Sequence, residues 1–224
     1  MVVIICIRPT EKRRHGDKKT EIKKLKIRPG PDPKRKEVTT WMTEEDLSAE
    51  SMKGSQHWID IGSGNLGRVY LEIIGCDGLP QLDSGALLGN KTDAFVSIVY
   101  EDSITKTDVI DDTLRPRWMP WSKRAFHLHM MHPSSQLFLG VFDYDEGIFD
   151  DHDLVGRVSV DLTGFYPDTE YLLTYNIFPT AKTSYTREAM GTITFRLRIE
   201  YFDERQMVLT NLRPPPGETF YVLL

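Results

Sequence analysis

Residues 191–202 read GTITFRLRIEYF, in which Ile193, Phe195, Leu197, Ile199 and Tyr201 alternate strictly with Thr194, Arg196, Arg198 and Glu200. Successive side chains of a strand point to opposite faces, so a period of two predicts a strand with one buried and one wet face. Toward the N-terminus, 170–177, 154–161, 136–142, 123–130, 105–110, 94–100 and 68–76 are further strand candidates. Turn residues separate most of them, and no long helical pattern intervenes. Eight short strands between residues 66 and 203 predict an all-β, eight-stranded antiparallel β-sandwich. The run QLFLGVF at 136–142 is apolar on both faces and is expected at the centre of a sheet.

The rest of the chain has a different character. Residues 1–42 are read as a flexible basic arm, because 11–36 carry twelve Lys/Arg against four Asp/Glu while the whole chain has a net charge of −5. The excess of about +8 in the arm leaves about −13 for everything else, so the two regions face different partners. The apolar start MVVIICI is too short for a signal peptide's core or a membrane span. Followed by EKRRHGDKK, it has the look of the cytoplasmic flank of a membrane helix if this chain is part of a longer one. Residues 43–65 are expected to form a short helix and linker: in TEEDLSAESM, Thr43 is a natural N-cap and acidic residues follow in the first turn. Residues 204–224, which include NLRPPPGETFYVLL, are read as a Pro-rich tail, a plain linker or the ligand of an SH3-like protein partner. Two cysteines, Cys6 and Cys76, predict neither a disulfide framework nor a thiolate metal site, which suits a cytoplasmic setting.

Several motifs invite a catalytic reading. The string GSGNLGRV at 62–69 satisfies the spacing of a kinase glycine-rich loop, but no H-R-D or D-F-G follows, and a strand rather than a helix comes next. It is read as a turn leading into the sandwich. The apolar run plus D-x-D in LFLGVFDYDEG resembles the nucleophile strand of a dehalogenase-type phosphatase. That chemistry needs a doubly wound α/β sheet, and this chain lacks the alternating helices. In HLHMMH, His127 and His129 share the face opposite Phe126, Leu128 and Met130 and are read as exposed imidazoles rather than metal ligands. The arm lacks aromatics interleaved with its charges, so an anionic membrane surface is expected as its partner rather than nucleic acid. A binding protein, not an enzyme, is the expectation.

Residues 142–156, FDYDEGIFDDHDLVG, hold six carboxylates in fifteen residues. Like charges this close repel one another unless opposite charge sits among them. Asp143 and Asp145 leave a strand two residues apart, so both side chains are expected on one side, as half of a hard-cation cage. An EF-hand is excluded by Gly147 and Leu154, which stand where ligands are required. A calcium ion takes six to eight oxygens, so a second loop must contribute, and Asp83 and Asp93 flank the other acidic loop, LPQLDSGALLGNKTDAFVSIVY.

The ordered set LEIIGCDGLPQLD, TDAFVSI, TLRPRW, LFLGVFDYD and HDLVGRVSVDL resembles a C2 domain, the calcium-dependent phospholipid-binding module familiar from protein kinase C and synaptotagmins. The resemblance covers about residues 66–203. It implies two or three calcium ions held by Asp83, Asp93, Asp143, Asp145 and Asp153, with Asp150 or Asp151 as replacements for the last. Because the first recognisable strand runs straight into the first acidic loop, it also implies the circularly permuted, type II strand order. Pro116 and Trp118 are expected to pack, and the strand around Lys106 lacks the Lys-rich patch used for phosphoinositides. The function implied is membrane targeting or tethering, peripheral on the cytosolic face, through calcium-dependent contact with anionic phospholipid. A calcium-independent protein-interaction scaffold is the alternative. Leu87 and Leu88 in SGALLGN, and Ile148 and Phe149 in EGIFDD, lie at loop tips between carboxylates and are expected to insert into the membrane.

Overall fold

The computed structural model describes residues 3–4, 23–25, 40–81, 92–145, 152–179 and 189–212. Its strands are β1 (Val3–Ile4), β2 (Lys23–Leu25), β3 (Thr40–Met42), β4 (Ile59–Ile61), β5 (Gly67–Asp77), β6 (Ala94–Tyr100), β7 (Ser103–Lys106), β8 (Ala125–Met130), β9 (Gln136–Asp143), β10 (Asp153–Asp161), β11 (Tyr171–Asn176) and β12 (Thr192–Tyr201). Two helices are present, α1 (Glu44–Ser51) and α2 (Glu204–Asn211). A six-stranded sheet in the order β1-β11-β12-β5-β8-β4 packs against a four-stranded sheet, β10-β9-β6-β7, while β2 and β3 pair separately. All eight strands expected from the periodicity are present as β5–β12. The last of them, β12, lies beside the first, β5, which is the permuted order.

The alternation in β12 decides the packing. Ile193, Phe195, Leu197 and Ile199 are buried, and they share one core with Val69, Leu71 and Ile73 of β5 and with Val96, Ile98, Leu137, Leu139 and Val141 of the facing sheet. Strand β9 is central, between β10 and β6. Only one of its faces is covered, however, because Phe138 is 47% exposed on the other. Trp118 is fully buried and its indole N–H donates to the Asp108 carbonyl at 2.7 Å, which gives the TLRPRW motif the packing role expected of it. The glycine-rich string is a turn entering the sandwich: a Cβ on Gly64 would meet the Met130 backbone at 2.1 Å, and Leu66 N–H donates to the Met130 carbonyl.

Differences from the sequence reading have local causes. The strand expected at 105–110 occupies 103–106 instead. Glu101, with φ of 49°, and Asp102 make a tight hairpin that starts β7 early. Thr107 then ends the regular ladder, its hydroxyl accepting from Val96 N–H. Within the stretch expected as a flexible arm, β1 pairs antiparallel with the edge strand β11, and β2 pairs with β3; an edge strand offers unpaired peptide groups to any neighbouring segment. Strand β4 adds a parallel edge to β8. Helix α2 opens the segment read as a tail: Asp203 caps it by accepting from Arg205 and Gln206 N–H, and Met207 packs on the core.

Helix α1 begins as expected, with a capping box between Thr43 and Asp46. The sequence reading missed what anchors it. Arg124, with its side chain fully buried, donates to Glu72 at 2.7 Å, to the Ser55 hydroxyl at 2.7 Å and to the Ser51 carbonyl at 2.6 Å, and it also bonds the carbonyls of Trp118 and Lys53. Arg196 meets the other Glu72 oxygen and donates to the Met52 carbonyl at 2.8 Å. The end of α1 is thereby tied to β5, β8 and β12 through charge-assisted bonds. Burial lowers the Arg124 pKa, against which the Glu72 carboxylate acts.

Candidate functional site

Three strand ends define the site. Strand β6 begins at Ala94, β9 ends at Asp143 and β10 begins at Asp153, and the register aligns all three: Ala94 opposite Asp143, and Asp143 opposite Asp153. Asp143 is 1% exposed, and its Oδ1 accepts the Asp93 N–H at 2.6 Å. In return Tyr144 N–H donates to the Asp93 carbonyl at 2.9 Å. Asp93 Oδ1 accepts the Asp112 N–H at 2.6 Å, while Ala94 and Ile110 exchange backbone bonds of 3.0 and 2.9 Å. Backbone dipoles from neighbouring segments thus hold the two carboxylates in place.

The base of the loop after β9 is closed by aromatic rings. Phe95 stacks on Phe142 with centroids 5.5 Å apart, and the His152 ring lies 5.3 Å from Phe95 and 4.8 Å from Tyr144. Asp145 N–H donates to His152 Nδ1 at 3.4 Å, so the second Asp of the D-x-D is positioned from across the loop. Of the expected ligands, Asp93 and Asp143 are in direct contact, Asp153 is aligned with Asp143 on β10 with an exposed side chain, and Asp145 follows just beyond β9. Asp83, Leu87, Leu88, Ile148, Phe149, Asp150 and Asp151 lie outside the described residues.

The sequence reading overlooked the middle loop. Asp111 and Asp112 border a cleft of about 260 Å³ that is also lined by Asp77, Glu44, Arg115 and Arg117. Arg117 pairs with Asp77 at 2.6 Å and donates to the Cys76 carbonyl at 2.5 Å. The only signal in the sequence was the pair IDD immediately before TLRPRW. Among the described residues, no three or more His, Cys, Asp or Glu side chains are grouped so as to hold a metal ion, and no helix is long and apolar enough to cross a membrane.

Residues 67–177, from β5 through β11 and including all three loops, match the family model of the C2 domain. These residues are a C2 domain. Among curated proteins, this C2 protein is 30% identical over 127 residues to phosphatidylserine decarboxylase proenzyme 3 of Schizosaccharomyces pombe. That match spans 55% of this chain but 13% of the decarboxylase. Among solved structures, the first C2 domain (domain A) of plant extended synaptotagmin 1 aligns with a TM-score of 0.51 at 21% identity, covering 63% of this chain and 100% of that domain. The calcium-bound tandem C2 domains, A and B, of extended synaptotagmin 2 align at 21% identity with a TM-score of 0.48, covering 61% of this chain and 47% of that one. At these identities the structural likeness speaks for the fold alone.

Proposed function

We propose that this C2 domain binds anionic phospholipid membranes when calcium is present, and that it serves as a peripheral membrane-targeting or tethering module rather than as an enzyme. The observation that carries the reading is the alignment of Asp93, Asp143 and Asp153 on three adjacent strand ends, with Asp145 next in the chain. An all-oxygen donor set of this kind fits a hard cation. Asp93, Asp143, Asp145 and Asp153 would hold the ions, joined by Asp83 from the first loop, with Asp150 or Asp151 as the replacement for Asp153. Bound calcium supplies positive charge at an otherwise acidic end and coordination positions open to lipid phosphate or carboxylate.

The protein's own residues provide the conditionality. Carboxylates at the loop end repel an anionic leaflet until they are neutralised. Leu87, Leu88, Ile148 and Phe149 would then add shallow apolar insertion, and the basic arm a calcium-independent attraction worth at most about 1 kcal/mol per Lys or Arg near the surface. The decarboxylase relative is named for phosphatidylserine, an anionic lipid, which supports the lipid class. The test is co-sedimentation with vesicles containing or lacking phosphatidylserine, in calcium and in chelator, for the wild type and for Asp143→Asn with Asp145→Asn. Calcium should strengthen binding to the anionic vesicles well above the weak attraction of the arm seen in chelator, and this calcium-dependent increment is lost in the double variant. Equal binding of the double variant overturns the calcium assignment.

A further inference from the structure

The outer face of the six-stranded sheet has no part in the loop end. Arg198 of β12 stands opposite Tyr70 of β5, and Tyr70 opposite His127 of β8, so the three share one row across the sheet. The Arg198 guanidinium lies over the Tyr70 ring, 3.9 Å from its centroid. Tyr70 meets His127 edge-on at 4.8 Å, and Trp58, immediately before β4, stacks on His127 at 4.8 Å. In the next row Arg196 bonds the Glu72 carboxylate and also meets Glu170 at 3.2 Å. These side chains line a cavity of about 320 Å³, together with Gly54 and Ser55 of the linker after α1. Arg124 fixes that linker by donating to the Ser55 hydroxyl and the Lys53 carbonyl, so the cavity is organised before any ligand arrives.

We propose that this cavity binds a small zwitterion in which a phosphate is joined to an ammonium group, as in phosphocholine. The lining carries both signs. Glu72 is answered by Arg124 and Arg196, and Arg196 also by Glu170. Arg198 pairs with Asp168 only at 3.6 Å, longer than a hydrogen bond, so its N–H groups remain to be given to a ligand. A guanidinium steadied on an aromatic ring presents the planar fork that grips a phosphate through two bonds. Trp58 is 37% exposed, and indole is the best of the aromatic surfaces for a quaternary ammonium. The Glu170 side chain adds a carboxylate to the same lining. Tyr70 donates its hydroxyl to Glu200 at 2.5 Å and so offers only its ring. Burial lowers the His127 pKa against the pull of Asp60, which leaves the ring as a neutral surface for Trp58 to stack on. A simple anion would meet Glu170 and a simple cation would meet Arg198, whereas a molecule with both charges satisfies the two together. The volume suits a headgroup rather than a whole lipid. The same chemistry is offered by a lipid headgroup and by the free molecule. None of it involves the loop carboxylates, so the site stands whether or not calcium binds there.

The experiment is calorimetric titration of the full chain with phosphocholine in chelator, followed in parallel by tryptophan fluorescence. One phosphocholine is expected per chain, and inorganic phosphate should bind at least tenfold more weakly. Arg198→Gln and Trp58→Leu should each weaken phosphocholine at least tenfold. Should either fail to fold, Glu170→Gln decides, since that side chain is 66% exposed: it should weaken phosphocholine without weakening inorganic phosphate. Co-sedimentation with phosphatidylcholine vesicles in chelator separates the two sources. Capture that soluble phosphocholine competes away assigns the lipid headgroup, and no capture while phosphocholine still binds assigns the free molecule. The site is overturned if the wild type takes up no phosphocholine at millimolar concentration, if folded Arg198→Gln binds it as the wild type does, or if inorganic phosphate binds as tightly.

Discussion

Glu72 and Asp143 are carboxylates with the same 1% exposure, and the fold treats them in opposite ways. Glu72 receives two guanidiniums, Arg124 and Arg196, inside a cluster that also binds the carbonyls at the end of α1. Asp143 receives the backbone N–H of Asp93, whose own carboxylate receives the backbone N–H of Asp112. The first arrangement neutralises charge with charge and is complete within the domain. The second positions carboxylates with dipoles and sets Asp145 and Asp153 beside them, gathering negative charge at one end of the sandwich. One is built to hold the fold together. The other gathers carboxylates at the loop end where the proposed ions would sit.

The sharpest break of this contrast is Arg124→Met. Removing one partner of a buried pair typically costs about 3–5 kcal/mol, because the remaining charges stay behind without full compensation. Urea unfolding should show a loss of that size, whether or not calcium is present. A change below about 1 kcal/mol would mean that the Glu72 cluster is no more structural than a surface ion pair.

At the other region the expected effect is conditional. Calcium at about 100 times its dissociation constant should stabilise the wild type by about 2.7 kcal/mol, because the ion binds only the folded state. In Asp143→Asn with Asp145→Asn this increment should vanish, while stability in chelator changes little, since the amide oxygen of the first substituted side chain can still accept the Asp93 N–H. Loss of stability in chelator as large as that of Arg124→Met would erase the distinction between the two carboxylates.

A smaller effect separates ion binding from lipid contact. Replacing Leu88 and Phe149 by Ser should weaken calcium-dependent vesicle binding at least tenfold, about 1.4 kcal/mol, while the calcium-induced rise in melting temperature is retained. Unchanged vesicle binding would make the contact purely electrostatic.

The smallest effect concerns a carboxylate of neither kind. Asp161 caps a 3₁₀ turn, Leu162–Gly164, accepting from the Thr163 N–H and hydroxyl, and these bonds lower its pKa below 3.8. Asp161→Ala should cost about 0.5–1 kcal/mol at neutral pH, as exposed caps do. A depressed carboxylate contributes stability above its unfolded value and loses it as pH falls through the folded one. The gap between wild type and variant should therefore close in acid below pH 3.8, as followed by urea unfolding at successive pH values.

What the residue pattern alone determined is whatever depends on local alternation and local chemistry. The period of two in 191–202 and its seven companions determined a β-sandwich, because a strand that puts every second side chain in the core needs a second sheet to cover it. Thr43 and the acidic turn after it determined where α1 begins. The spacing of Asp143 and Asp145 at the end of an apolar strand, read with Asp93, pointed to one end of the sandwich without any knowledge of the packing.

Tertiary structure decided the rest, because those contacts join residues far apart in sequence. The bonds from Arg124 to Ser51 and from Arg196 to Met52 span 73 and 144 residues, and neither Arg looks different in sequence from any other charge on a wet face. His127 and His129 read as exposed imidazoles from alternation, yet their side chains are only 19% and 23% exposed, because β4 adds in parallel at the edge and brings Asp60 and Trp58 over them. Three residues of parallel strand, Ile59–Ile61, carry almost no periodic signal. His152 beneath the acidic loop and Asp112 against Asp93 escaped for the same reason: their roles come from loops converging at one end of the sandwich, and convergence belongs to the packed sheets rather than to any stretch of chain.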